Sequence, residues 1–254
     1  MKLNFYINKI KKDGYAIIPR FLSKSDCALY KNKSKKLIYT YKKKGKKLSS
    51  NAQVINSPFR YDKSFLKLIY NKKIDKILSK LMDQDYVLLN SNIINRKIDF
   101  IKTKKLKTIG EGWHTDTPIV GKKKLSNGFR FLLTIMLDDF TKENGATYFV
   151  PKSHLLKTIP SRDKNYKSKV LIGNAGDAVI FDSSLWHKAG KPNNDDRFSV
   201  FSLYGPWWNK PYFDYENMLG SKFFKKTNKK IKKLLHYNSR PPKNDDIRSN
   251  TVTK

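Results

Sequence analysis

The chain has 254 residues, with 54 Lys and Arg against 21 Asp and Glu, a formal net charge of +33. Its 39% hydrophobic and 13% aromatic content is enough for a core at this length, and a single cysteine, Cys27, excludes an internal disulfide framework. No stretch approaches the roughly 18 apolar residues of a membrane span. Residues 1–20 lack the apolar core and cleavage site of a signal peptide, so a cytoplasmic location is expected.

Only eight of the 54 basic residues are Arg. Nucleic-acid readers favour Arg, whose planar fork grips phosphate and guanine. Here Lys is scattered, with runs at 42–47, 102–107, 122–124 and 225–233. Compositional drift accounts for that scatter better than a nucleic-acid surface does. Nucleic-acid binding is therefore an alternative, not the leading reading, and an anionic small substrate also fits.

In chain order, Leu3 to Lys12 reads as a short helix stopped by Gly14, and Tyr15 to Pro19 as a strand. Ser23 and Asp26 form an N-cap and its acidic partner, opening a helix to about Tyr41. Lys42 to Pro58 is polar and reads as loop. Lys63 to Met82 reads as one helix whose Phe65, Ile69, Ile74, Ile77, Leu78 and Leu81 make an apolar stripe. Tyr86 to Asn95 is a strand on which Asn90 and Asn92 share a face, so one of them is expected to meet a wet cavity; Asn92 is the candidate co-substrate contact.

Gly112-Trp113-His114-Thr115-Asp116-Thr117-Pro118 follows. On a strand His114 and Asp116 point the same way, and an imidazole with a carboxylate can grip one metal ion. Of the remaining histidines, His154, His187 and His236, His187 is the best placed, after a turn, a short apolar strand and a polar loop. Two His and one carboxylate with open positions opposite is the non-haem Fe(II) oxygenase arrangement. Arg197 comes ten residues after His187, at the start of another apolar run.

Phe129 to Leu137, Ala146 to Val150, Lys169 to Ile172, Ala178 to Phe181 and Phe198 to Leu203 supply short strands between turn residues. That pattern predicts a mainly β fold with flanking helices, a double-stranded β-helix (jelly-roll, cupin-like) barrel. One domain is expected over 1–254: a mainly helical cover at 1–85, a jelly-roll core at 86–205, and a C-terminal helix (Ser221 to Tyr237) with a polar tail in 206–254.

Several of these segments together resemble the phytanoyl-CoA dioxygenase family of Fe(II)/2-oxoglutarate oxygenases. They are Asp13-Gly14-Tyr15 through Leu22, Trp113-His114-Thr115-Asp116, Met136-Leu137-Asp138-Asp139-Phe140-Thr141-Lys142-Glu143-Asn144-Gly145-Ala146-Thr147, Val150-Pro151-Lys152-Ser153-His154, and Gly176 through His187 to Arg197. The resemblance implies Fe(II) held by His114, Asp116 and His187. It implies Arg197 paired with the distal carboxylate of 2-oxoglutarate, with Ser199 on the same strand face as a hydrogen-bonding partner. It makes His154 structural. Lys152 stands where Gly is frequent, a departure that alters a turn. An intact Asp116, where related halogenases have Ala or Gly, points to hydroxylation. A metal-free cupin-like binder is the second alternative. Lys122, Lys123 and Lys124, with Lys102, Lys104, Lys105 and Lys107, are expected to flank the cavity mouth and steer an anion, and Trp186, Trp207 and Trp208 to line an apolar floor.

Overall fold

The structure is a computed structural model, and it describes residues 2–46, 48, 52–83, 85–97, 110, 112–120, 123–125, 127–193 and 195–237. The Lys102, Lys104, Lys105, Lys107 and Lys122 expectations lie outside these residues.

The chain opens with helix α1 (Lys2–Asp13) and strand β1 (Tyr15–Ile18). Gly14 makes the corner between them at φ +89°, and a Cβ there would lie 2.7 Å from both His154 Nδ1 and a Leu185 methyl. Only glycine fits, because the left-handed backbone and the close approach both exclude a side chain. Helix α2 (Lys24–Lys43) is capped as its sequence predicts. The Ser23 hydroxyl accepts from Asp26 N at 3.0 Å and donates to the Asp26 carboxylate at 2.7 Å.

Two expectations for residues 42–82 are corrected. The stretch read as loop contains strand β2 (Gln53–Asn56), which pairs with β3 (Tyr86–Arg96) and is fastened by an Asn95 Nδ2 to Gln53 Oε1 bond of 3.0 Å. The single helix expected from Lys63 breaks at Tyr70. Leu66–Ile69 forms a short α3, and Asn71 caps a separate α4 (Lys72–Met82) by accepting from Lys73 N at 2.8 Å. An Asx cap offers the backbone a competitor to the continuing helix, so the apolar stripe persists while the axis restarts.

The remaining strands are β4 (Ile119–Val120), β5 (Lys123–Lys124), β6 (Phe131–Met136), β7 (Tyr148–Phe149), β8 (Lys169–Val170), β9 (Ala178–Asp182), β10 (His187–Lys188) and β11 (Arg197–Pro206). A six-stranded sheet runs β1-β9-β6-β11-β3-β2 with every neighbouring pair antiparallel. A second sheet has the order β10-β7-β8, and β4-β5 is a two-stranded hairpin. The architecture is therefore mostly antiparallel sheet with flanking helices. Among the described residues the two sheets do not close into one continuous barrel.

Directly opposed residues of an antiparallel pair share a face, so the register sorts the large sheet into two sides. Ile18, Ile135, Ile180, Val200 and Ile93 lie on one side and join a core with Ile10, Tyr30, Ile77 and Leu78 from the helices. Tyr15, Phe181, Leu132, Leu203 and Val87 lie on the other, with Phe149 and Leu171 of the second sheet or its edge. Each fully buried aliphatic side chain contributes roughly 1.5–3 kcal/mol. The C-terminal segment folds as short helices at Tyr215–Leu219, Ser221–Lys226 and Lys229–Leu234, not as one helix from Ser221 to Tyr237. Asn228 interrupts it, capping the last piece by accepting from Ile231 N at 2.9 Å.

Candidate metal centre

Residue 114 was expected on a strand. Instead it makes an isolated antiparallel bridge to residue 187, with His114 N to His187 O and His187 N to His114 O both 3.0 Å. Asp116 follows in a bend, its amide donating to Ser183 O at 2.8 Å. The strand rule thus gave the right convergence through a different geometry. The bridge sets the two imidazoles side by side, ring centroids 4.2 Å apart, and the bend brings the Asp116 Oδ2 to 3.4 Å from His187 Nε2. One ligand atom from each of His114, Asp116 and His187 lies within 4.8 Å of the other two.

Both rings are oriented from behind. His114 Nδ1 lies 2.9 Å from Gly112 O, and His187 Nδ1 lies 2.9 Å from Leu185 O. A carbonyl only accepts, so each Nδ1 carries the proton and each Nε2 presents a lone pair. Burial and then the neighbouring His187 push the His114 imidazole down to about 4. Burial alone would lower His187 too, but the hydrogen bond and charge of Asp116 outweigh it and hold the group above its ordinary value. Burial works to raise the Asp116 carboxyl, yet His187, with His114 and Arg130 behind it, keeps it below the usual range. His114 is therefore neutral and Asp116 ionised near neutral pH, and the proton that Asp116 favours on His187 is the one a metal would displace to complete the donor set of a first-row divalent ion.

Arg197 and Ser199 lie on the side of β11 that faces the second sheet and are 5% and 4% exposed. The Arg197 guanidinium lies over the Phe140 ring at 3.7 Å and donates to Asn144 O (3.3 Å) and Gly145 O (2.9 Å). Burial, and then Arg96 across the β3–β11 rung, push it down to about 9. Gly145 stands at φ +77°, and a Cβ there would meet the Pro192 ring at 2.8 Å, so the Asn-Gly turn beneath the arginine cannot carry a side chain. Asn92 faces the same side opposite Phe201, and its Oδ1, like that of Asn90, is buried and has no hydrogen-bond partner among the described residues. Such atoms ask for a ligand or a water.

His154 stays apart from the three. It is 2% exposed, with Nε2 3.0 Å from Lys11 O, and so has the structural place the resemblance implied. Lys152 holds its turn in the left-handed region at φ +63°.

The lysine-loop expectation fails at Lys124. It is buried and its ammonium donates to Ser153 O (2.8 Å), His154 O (3.2 Å) and Ser184 O (2.8 Å). Three donors meet three carbonyls, which fastens the hairpin to the loop leading into His187. Burial still pushes the group down to about 8 against the pull of Asp182. Nothing in a run of Lys distinguishes the one that turns inward.

Trp186 also departs from expectation. Its ring packs on Tyr166, centroids 5.0 Å apart, and its indole donates to Thr158 O. Trp207 packs on the inner core, while Trp208 is 55% exposed. A narrow apolar cavity, lined in part by Tyr15, Phe149, Phe181 and Leu185, lies against His187. One residue with no obvious sequence signal stands beside the site. Arg130, at the head of β6, is buried, donates to Asn209 Oδ1 at 2.8 Å and reaches the Asp116 carbonyl at 3.5 Å.

Several known proteins are similar to this chain. An uncharacterized protein of Mycobacterium tuberculosis, Rv1501, is 23% identical over 244 residues, covering 92% of this chain and 86% of its own. The epimerase SnoN of nogalamycin biosynthesis, solved with Fe3+, alpha ketoglutarate and nogalamycin RO, superposes with a TM-score of 0.62 at 18% identity over 81% of this chain and 84% of its own. HygX of Streptomyces hygroscopicus, solved with nickel, 2-oxoglutarate and hygromycin B, gives 0.64 at 12% identity over 85% and 94%. Likeness at that identity shows a shared fold. The family description "Phytanoyl-CoA dioxygenase (PhyH)" matches residues 10–198, a span that starts within α1 and ends one residue beyond Arg197. It takes in the Gly14 corner, the His114, Asp116 and His187 cluster and the arginine, and the chain accordingly belongs to the phytanoyl-CoA dioxygenase family.

Proposed function

We propose that the protein is an Fe(II)- and 2-oxoglutarate-dependent dioxygenase that hydroxylates a small molecule and releases succinate and CO2. The observation that carries this reading is the cluster of His114, Asp116 and His187, one ligand atom of each within 4.8 Å of the other two, with both Nδ1 atoms committed to carbonyls. The two facing sheets are read as the walls of a jelly roll whose open end holds the cluster.

Bound together, iron, 2-oxoglutarate and O2 supply a strong oxidation in which the co-substrate loses CO2. The chain's own residues do the rest. His114, Asp116 and His187 would hold the metal, a two-histidine, one-carboxylate set that would leave it able to take up co-substrate and O2. Arg197 offers a planar, doubly donating edge to a carboxylate, which an ammonium could not reproduce. Its present acceptors are two backbone carbonyls, neutral groups that a carboxylate outcompetes. Ser199, two residues along the same face, adds a hydroxyl, and the partnerless Asn92 Oδ1 points to the same interior. Phe149, Phe181 and Leu185 keep the His187 side dry, so charges within the site are weakly screened.

Hydroxylation is favoured over halogenation because Asp116 fills the position that a halide would need. A fold shared with an epimerase makes product identity worth measuring. The experiment is anaerobic reconstitution with Fe(II), then O2 and 2-oxoglutarate, with succinate release screened over acyl-CoAs, amino acids, sugar derivatives and polar osmolytes. Products that gain one oxygen atom support hydroxylation. Products that gain none, or that contain chlorine, contradict it. Protein that takes up no iron is a metal-free binder.

A further inference from the structure

We propose that Arg130 anchors a carboxylate of the primary substrate beside the metal centre, an assignment that rests on the oxygenase reading above. Arg130 is 8% exposed, yet among the described residues it forms no salt bridge. The groups around it are an amide oxygen, a backbone carbonyl and a phenol: Asn209 Oδ1 at 2.8 Å, Asp116 O at 3.5 Å, and the Tyr212 hydroxyl. A guanidinium carries five N–H donors, and neutral acceptors leave its charge uncompensated. Burying a cation is expensive unless an anion joins it. The nearest carboxylate to influence it is Asp116, which the metal claims.

Location gives the charge its use. Arg130 O accepts from Ser183 N at 3.0 Å, and Ser183 O in turn accepts from Asp116 N at 2.8 Å, so one short backbone relay fixes the arginine relative to the metal ligand. Arg197 belongs to a different part of the sheet, at the opposite end of the β6–β11 ladder: Tyr204 pairs with Phe131, next to Arg130, and Ser199 with Met136. Two buried guanidiniums at the two ends of one ladder suit two separate anions, the co-substrate's and the substrate's. The surroundings of Arg130 are also apolar and open. Trp208 and Tyr212, in the segment that carries Asn209, are 55% and 54% exposed. Ile119 and Val120, just beyond Asp116, are 50% and 67% exposed. The Phe129 ring, 5.7 Å from the guanidinium and 5.2 Å from the Trp208 ring, gives the buried cation an apolar flank, which fits a ligand with an apolar body and a planar anionic end.

The test uses the full chain loaded with Ni(II) as an unreactive metal and saturating 2-oxoglutarate. The probe is 4-fluorophenylacetate, followed by fluorine NMR, with 4-fluorophenylacetamide as its neutral counterpart. The wild type should bind the acid about tenfold or more tightly than the amide, and R130M should lose that preference. At the saturating Ni(II) and 2-oxoglutarate used, R130M should still be fully loaded with both, even though Arg130 helps to hold Asp116 ionised. R130K, which keeps the charge but not the fork, should retain part of the preference and serves if R130M does not fold. Equal binding of acid and amide, no binding of the acid, an unchanged preference in R130M and R130K, or displacement of the probe by added 2-oxoglutarate would each overturn the assignment. Failure of the wild type to take up Ni(II) and 2-oxoglutarate would instead bring down the oxygenase reading, and this assignment with it.

Discussion

The two faces of the six-stranded sheet are built from alternate residues of the same strands and do different work. The outer face, with Ile18, Ile135, Ile180 and Val200, is mainly apolar and is sealed by the helices, and its few polar members bond among themselves, Ser202 to Ser91 and Asn95 to Gln53. The inner face mixes Phe181, Leu132 and Leu203 with Arg197, Ser199, Asn92 and Arg96. Buried cations and partnerless amides weaken a core, so their concentration on one face marks where ligands are expected. Stability and chemistry are thus separated by one residue step along the chain.

Substitutions on the two faces should therefore fail in different ways. The largest effect is expected at the ligands. H114A, D116A or H187A should abolish Fe(II) uptake measured anaerobically while the thermal transition persists. H154A should keep the metal and lose stability, because His154 ties α1 to the loop before His187; iron lost with H154A and kept with H187A would reverse the assignment. On the outer face, I135A should cost about 2–5 kcal/mol in a denaturant titration and leave metal affinity unchanged. On the inner face R197M should weaken 2-oxoglutarate binding by roughly tenfold or more with little change in unfolding midpoint. A shift in both quantities for either variant would blur the separation.

Smaller effects should follow pH and backbone strain. His187 is held above its ordinary value in the metal-free protein, so a proton competes with the metal there first. His114, pushed down to about 4, competes only in stronger acid. Metal affinity should be level at alkaline pH and fall as pH drops through the raised His187 value, starting at a higher pH than an ordinary imidazole would require, which calorimetry over a pH series would register. A level profile throughout would mean that Asp116 does not raise His187. At the bottom of the range, K152G should relieve a left-handed backbone and add on the order of 1 kcal/mol. No gain in melting temperature would show that the Lys152 conformation is unstrained.

What was legible in the sequence follows the same division. Period-2 alternation and turn residues disclosed most strands, and the capping pair at Ser23 and Asp26 marked α2. The clustering of His114, Asp116 and His187 was readable because chemistry restricts the types and spacing of such residues, even though His114 rests on a bridge and not a strand. Features set by tertiary packing were not readable. Gln53–Asn56 is too short and polar to announce an edge strand, and its partner lies more than thirty residues on. Asn71 and Asn228 interrupt apolar stripes that continue past them, so periodicity alone joined what the caps divide. Lys124 looks like its neighbours until three carbonyls surround it, and Arg130 like any strand-edge cation until Asn209 and Asp116 close around it.

The central claim is that His114, Asp116 and His187 hold one iron and that 2-oxoglutarate joins it with Arg197 as its anchor. Anaerobic titration of the wild type with Fe(II) and then 2-oxoglutarate, followed by visible absorption, tests both parts at once. The account predicts one iron per chain and a metal-to-ligand charge-transfer band that grows on adding 2-oxoglutarate, is absent in H187A, and needs more 2-oxoglutarate in R197M. A wild-type protein that binds no iron, or binds it without developing the band, would contradict the account.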